Sequence, residues 1–124
     1  MLVKIDFSSD EALYIQLRNQ IIFGIATEQI REGDTLPSVR ALAEEMGINM
    51  HNVNKAYAVL RQEGFLQLDR RIGAVVSLDL DKLRALEETY EGLQVILAKA
   101  VCKNISRDEV HELIDRIMDR FGGQ

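Results

Sequence analysis

The stretch from Leu36 to Leu66 constrains this chain more than any other. Leu36-Pro37-Ser38-Val39-Arg40-Ala41-Leu42-Ala43-Glu44-Glu45-Met46-Gly47-Ile48 runs directly into Asn49-Met50-His51-Asn52-Val53-Asn54-Lys55-Ala56-Tyr57-Ala58-Val59-Leu60, and the run closes at Glu63-Gly64-Phe65-Leu66. Pro37 favours an extended Leu36, and Ser38 is a good N-cap, so a short helix is expected to begin there. Val39, Leu42, Ala43 and Met46 fall on its inner face, and Gly47 supplies the left-handed residue that ends it. Asn49 is the cap of a second helix with Val53, Ala56, Tyr57 and Leu60 facing inward and Gly64 as its stop. Residues 65–68 and 74–78 are β-prone, with Asp69-Arg70-Arg71-Ile72-Gly73 as the turn between them. Two short helices joined by a glycine-bearing turn and followed by a hairpin predict a winged helix-turn-helix. Such a module sets its second helix in the major groove of DNA.

The flanks fit around this unit. Residues 1–10 alternate Leu2, Val3, Ile5 and Phe7 with Lys4 and Asp6, which predicts an extended segment. A first helix is expected from about residues 10–12. Leu13, Leu17, Ile21 and Ile25 recur every fourth position, with Tyr14 and Ile22 beside them. Phe7 is placed as a staple over the start of this helix, and Gly33-Asp34 marks the turn after it. Past Leu78 the pattern changes. Asp79 and Asp81 are alternative caps of a long helix carrying Leu83, Leu86, Tyr90, Leu93, Leu97, Ala100 and Val101, broken at Asn104. Ser106-x-x-Glu109 is a capping box. It opens a last helix with Val110, Leu113, Ile114, Ile117, Met118 and Phe121 on one face, ended by Gly122-Gly123. The fold class is therefore mainly α with a small β-hairpin. A winged helix-turn-helix domain over residues 1–78 is followed by a two-helix tail over 79–124.

Charge argues against a strongly basic DNA surface. The 124 residues carry a net charge of −5. Residues 1–78 hold eight Lys and Arg against ten Asp and Glu, and residues 79–124 hold seven against ten. Phosphate contacts dominate the affinity of most DNA binders, so any DNA face must be a local patch. Between residues 36 and 76 that patch consists of Arg40, Lys55, Arg61, Arg70 and Arg71, set against Glu44, Glu45, Glu63 and Asp69. Modest affinity per site, and hence dimerisation, is expected. The lone Cys102 matches a reducing, cytoplasmic compartment. The N-terminal residues lack a basic region followed by an apolar core, so no secretory signal is expected. No apolar run approaches the ~18 residues of a membrane span.

Several residues match a known pattern at fixed spacing. They are Gly33, Leu36-Pro37-Ser38-x-Arg40-x-Leu42-Ala43, Gly47-Ile48, Val53-x-x-Ala56-Tyr57-x-x-Leu60, Gly64-x-Leu66 and Gly73-x-x-Val76. In these residues the chain resembles the DNA-binding domain of the GntR family of bacterial transcription factors. The short two-helix tail is similar to that of the YtrA subfamily. The resemblance implies a homodimer formed by the tail, acting as a regulator, most often a repressor, of a nearby operon such as one encoding an ABC transporter. Three departures affect the reading of DNA rather than the fold. Met50 stands where the family often has arginine, Asn52 where threonine is usual, and Arg71 and Ala74 replace a glycine and a threonine of the wing.

The candidate DNA contacts follow from both arguments. Arg40 matches the family arginine that reaches DNA; the plainer alternative is an i,i+4 pair with Glu44. Ser38, at the same helix start, belongs to the matched pattern. Asn49, Met50, His51 and Asn52 occupy the first turn of the second helix of the motif, the part that enters the groove. Asparagine is a natural bidentate partner of adenine, although Asn49 also serves as a plain cap. Lys55, a turn further on, suits a phosphate. Arg70 and Arg71, beside Gly73 at the hairpin tip, suit the minor groove or its flanking phosphates. The predicted partner is a double-stranded operator of two half-sites. The predicted dimer interface comprises Leu93, Leu97, Val110, Leu113, Ile114, Ile117, Met118 and Phe121.

Catalysis has little basis in the sequence. His51, His111 and Cys102 lie in separate segments without zinc-ligand spacing. There is no phosphate-binding glycine loop or nucleophile elbow. Glu112, Asp115 and Asp119 are read as a solvated helix face. No cofactor or metal is expected, and an effector is left open, with the cleft near Tyr90 as its place. The alternative function is a protein-interaction module that uses the winged-helix scaffold without specific DNA binding.

Overall fold

The computed structural model describes residues 4–122. Seven elements follow in order: α1 (Leu13–Ala26), α2 (Val39–Met46), α3 (Met50–Gln62), β1 (Leu66–Asp69), β2 (Gly73–Val76), α4 (Lys82–Cys102) and α5 (Arg107–Arg120). The fold is mainly helical with one antiparallel hairpin, in which Leu66 pairs with Val76 and Asp69 with Gly73. The chain separates into two compact units, the first ending at Asp79 and the second beginning at Leu80.

The first unit has its own core. Leu17 and Ile21 of α1, Leu42 and Ala43 of α2, and Val53, Ala56, Tyr57 and Leu60 of α3 are buried together. Leu66, Ala74 and Val76 of the hairpin close it, with Ile30 and Leu36 from the connection. Each fully buried large aliphatic side chain contributes about 1.5–3 kcal/mol. Val39 and Met46, expected on the inner face of α2, are only half buried. They are the first and last residues of α2 and pack against the core from its edge, on the face the sequence predicts.

Caps define the reading helices as the sequence predicts. Ser38 Oγ accepts from the Ala41 amide, and Asn49 Oδ1 accepts from the His51 amide at 2.7 Å. Gly47 between them has φ of 68°, a left-handed conformation that costs an L side chain but not glycine. The Tyr57 hydroxyl donates to the Pro37 carbonyl at 2.8 Å, tying α3 to the entrance of α2. Burial pushes the Tyr57 phenol above its ordinary range.

Three features differ from the sequence reading. The first helix stops at Ala26, and the segment before Gly33 is a run of turns in which Glu28 takes a φ of 62°. Residues 33–36 then lie along β2 as an unpredicted third edge. Thr35 bridges Val75, the Leu36 amide donates to the Ala74 carbonyl, and the Gly33 amide donates to the Val76 carbonyl. Phe7 is 64% exposed and does not staple α1. In its place the buried Gln16 anchors the incoming segment. Its amide nitrogen donates to the Asp6 and Glu11 carbonyls, and its oxygen accepts from the Asp6 amide. Leu2 and Val3, read as extended, lie outside the described residues.

The first unit closes on itself at its last residues. The Ser77 amide donates to the Phe65 carbonyl, and the Asp79 amide to the Gly64 carbonyl at 2.8 Å. Gly64 has φ of 86°, and a Cβ there would stand 2.8 Å from the Asp79 Cβ.

The second unit is two capped helices. Asp81, rather than Asp79, accepts from the Arg84 amide at the start of α4. Asn104, at φ of 62°, lies in the turn directly after it. Ser106 and Glu109 form the expected capping box. No residue of α4 or α5 is buried. All eight residues predicted to form a dimer interface remain at least partly open to solvent.

Candidate nucleic-acid interface

The inner positions of α3 define its outer face. With Val53, Ala56, Tyr57 and Leu60 buried, a helix of 3.6 residues per turn sets His51, Asn54, Lys55, Ala58 and Arg61 toward solvent. All five are exposed, as are Asn49 and Met50. Asn52 is half buried. The sequence reading passed over Asn54, and it counted Arg61 in the basic patch without assigning it a DNA contact. The period that selects the buried positions would have placed both on this face.

Arg40 and Met50 come together. Both line a shallow depression where α2 gives way to α3, with Glu44 and Gly47 between them. The predicted alternative for Arg40, a pair with Glu44, does not form. Among the described residues none of Arg40, Lys55, Arg61, Arg70 and Arg71 is in a salt bridge. Two of the nearby carboxylates are occupied. Glu63 faces Arg18 of α1 at 3.4 Å, and Asp69 accepts from the Arg71 and Ile72 amides. The Glu63 charge is thus offset by Arg18, while Asp69 keeps its charge because its partners are neutral amides.

Lys55 is less free than expected. Its ammonium lies over the Tyr14 ring of α1, 4.3 Å from the centroid, a cation–π contact. Asn49 uses Oδ1 as a cap but keeps its amide donor. Ser38 likewise accepts in its cap and keeps its hydroxyl proton to donate. Asn54 has no hydrogen bond to another described residue, so both halves of its amide face solvent. In the hairpin, Arg70 and Arg71 stand exposed at the tip, held by the Asp69 turn, and Gly73 opens β2 opposite Asp69. Leu68 and Ile72, at 60% and 58% exposure, leave the wing tip partly apolar.

Among the described residues no group of three or more His, Cys, Asp or Glu is placed to hold a metal ion. No described helix is long and apolar enough to cross a membrane.

A capped helix-turn-helix with a cationic wing defines a DNA-binding regulator. Residues 11–76 match the model of the bacterial regulatory proteins of the gntR family. The chain belongs to this family of DNA-binding transcriptional regulators. Among curated proteins it is 29% identical to the HTH-type transcriptional repressor YtrA of Bacillus subtilis, over 99% of this chain and 98% of that one. Among solved structures it is similar to YtrA of Sulfolobus acidocaldarius, with 38% identity and a TM-score of 0.60 over 94% of this chain and 97% of that one. It also matches a transcriptional antiterminator from Listeria monocytogenes, with 26% identity and a TM-score of 0.87 over 100% of this chain and 96% of that one.

Proposed function

We propose that this chain is a cytoplasmic, homodimeric repressor that binds an operator of two half-sites and controls a neighbouring operon, such as one encoding an ABC transporter. The observation that carries the reading is the contrast between a self-contained reading unit and a tail with no core. Leu113, Ile114, Ile117 and Met118 are 40–48% exposed in one chain. A second copy would cover them and set two reading units on one duplex, as two-fold operators require. From Gly92 to Cys102, α4 is apolar nearly all round, broken by Gln94 and Lys99. Val95, Ile96 and Val101 are 60%, 62% and 73% exposed. A helix of that kind is covered on more than one side, which suits a bundle of tail helices better than a single seam. The relative in Bacillus subtilis is itself named a repressor.

In this reading Arg40, Asn49, Met50 and Asn52 meet base edges, and His51 meets a phosphate. Ser38, Lys55, Arg70, Arg71 and the Gly73 backbone meet phosphates or the minor groove. No catalytic role is assigned to any residue. An effector, where one exists, would enter between the tails near Tyr90.

The test combines sedimentation of the full chain at micromolar concentration with a gel shift on the region upstream of its own gene. A dimer that retards this duplex more strongly than a scrambled one is expected. A monomer that still binds the operator would remove the dimer. Equal binding to both duplexes would favour the protein-interaction alternative.

A further inference from the structure

We infer that the first two turns of α3 read A·T base pairs, through Asn54 and Met50, and make no arginine–guanine contact; the inference rests on the DNA-binding reading of α3. Arg or Lys pairing with guanine is the commonest specific contact in the major groove. The solvent face of α3 offers no such group where it would enter the groove. From Met50 to Ala56 there is no arginine, and the one lysine, Lys55, has its ammonium over Tyr14 at 4.3 Å. Arg61 is eleven residues beyond Met50, about 16 Å along the axis at 1.5 Å per residue, at the far end of the helix.

What this face does present is an amide and a thioether. Asn54 lies one turn beyond Met50 on the same edge and is exposed, with donor and acceptor both unengaged among the described residues. That pair matches adenine N7 and N6, the bidentate geometry asparagine uses. Met50 is 43% exposed. It has no donor and only a weak acceptor, so its favourable partner in the groove is the thymine methyl group. Asn49 is less suited to the adenine role, because its oxygen already holds the His51 amide. Among the described residues the guanidinium beside this edge is that of Arg40, across the depression it shares with Met50. A guanine in the half-site is therefore assigned to Arg40 and not to α3.

Selection from a random duplex library with the full chain at fixed salt tests this, using wild type, Asn54→Ala, Asn54→Arg and Met50→Arg. Wild type is expected to enrich half-sites with A·T pairs at the positions that the α3 variants alter. Asn54→Ala should relax the preference for adenine at one position by about 5- to 150-fold, the range for a lost bidentate contact. Asn54→Arg should convert that position to guanine, and Met50→Arg should do so at a neighbouring position. Thermal melts of the variants should match wild type, since both side chains are exposed. Wild-type enrichment of guanine at the position relaxed by Asn54→Ala would overturn the inference. So would selected motifs that ignore all three substitutions. Failure of wild type to enrich any motif would instead overturn the specific-DNA reading beneath it.

Discussion

The two units of this chain solve the problem of burial in opposite ways. The first, with three short helices and a hairpin, buries thirteen apolar side chains within itself among the described residues. The second has two well-capped helices and buries none. Local signals are equally good in both, from Ser38 and Asn49 in one to Asp81 and Ser106 in the other. Capping therefore marks where α2 to α5 start, while apolar neighbours decide whether a unit stands alone. The reading unit has those neighbours within its own sequence. The tail, in the proposed dimer, takes them from a second copy.

The sharpest way to break this comparison is to remove the tail. A chain ending at Asp79 is expected to keep the helicity and cooperative melt of its three helices. Its affinity for a two-half-site operator should fall by about 10²- to 10⁴-fold, the scale of lost bivalency. Titration of intact and truncated protein on one duplex measures this. An undiminished affinity would show that the tail contributes nothing to DNA binding.

Core truncation should separate the units next. Leu60→Ala, at a fully buried site, is expected to cost about 2–5 kcal/mol in denaturant unfolding, independent of protein concentration. Leu113→Ala should instead act through assembly, so that its effect grows as the protein is diluted. Equal concentration dependence of the two losses would erase the distinction drawn here.

Smaller effects sharpen it. Tyr57→Phe removes the donor to the Pro37 carbonyl and should cost about 0.5–1.5 kcal/mol, the net value of one hydrogen bond. The operator motif should stay the same. A larger loss of affinity than of stability would mean that the hydroxyl positions α2 for DNA rather than merely holding it.

The smallest expected effect is a titration in the tail. The Ser106 amide, then its hydroxyl, holds the Glu109 carboxyl below its ordinary value of 4.5. A group with a lowered folded pKa stabilises fully above its unfolded value and loses that contribution as the pH falls through the folded one. The capping contribution to α5 should therefore be complete above about pH 4.5 and fade below it. Carbon NMR of the Glu109 carboxyl should give a midpoint under 4.5, and a midpoint at or above that value would remove the box as the cause.

What the sequence made legible follows the same division between local and distant. Ser38, Gly47, Asn49, Gly64, Asn104 and Ser106 act within a few residues of themselves, and each marks a boundary where the pattern placed it. The bridge from Thr35 to Val75 spans 40 positions and leaves no period to detect. The anchoring of residues 6–11 by Gln16 was equally invisible, because glutamine reads as a surface residue until its three hydrogen bonds are seen. Phe7 was misplaced for the converse reason, since a large apolar residue near a helix start suggests a staple whether or not a partner is there. At the candidate site the residue types were legible, but their availability was not. The Lys55 contact with Tyr14, the open Arg40 and the unengaged Asn54 depend on which neighbours the fold brings near.

The closure at Gly64 has a bearing on grafting. The backbone of residues 77–79 is stitched to the end of α3, and the bare α-carbon at position 64 leaves room for Asp79. A chimera that joined a foreign module after Val76 would keep the Phe65 and Gly64 carbonyls paired only where its first three residues followed the same backbone path. One joined after Asp79 would inherit a finished edge. The portable piece of this protein is thus three residues longer than its last strand, and a change of tail need not reopen the part that reads DNA.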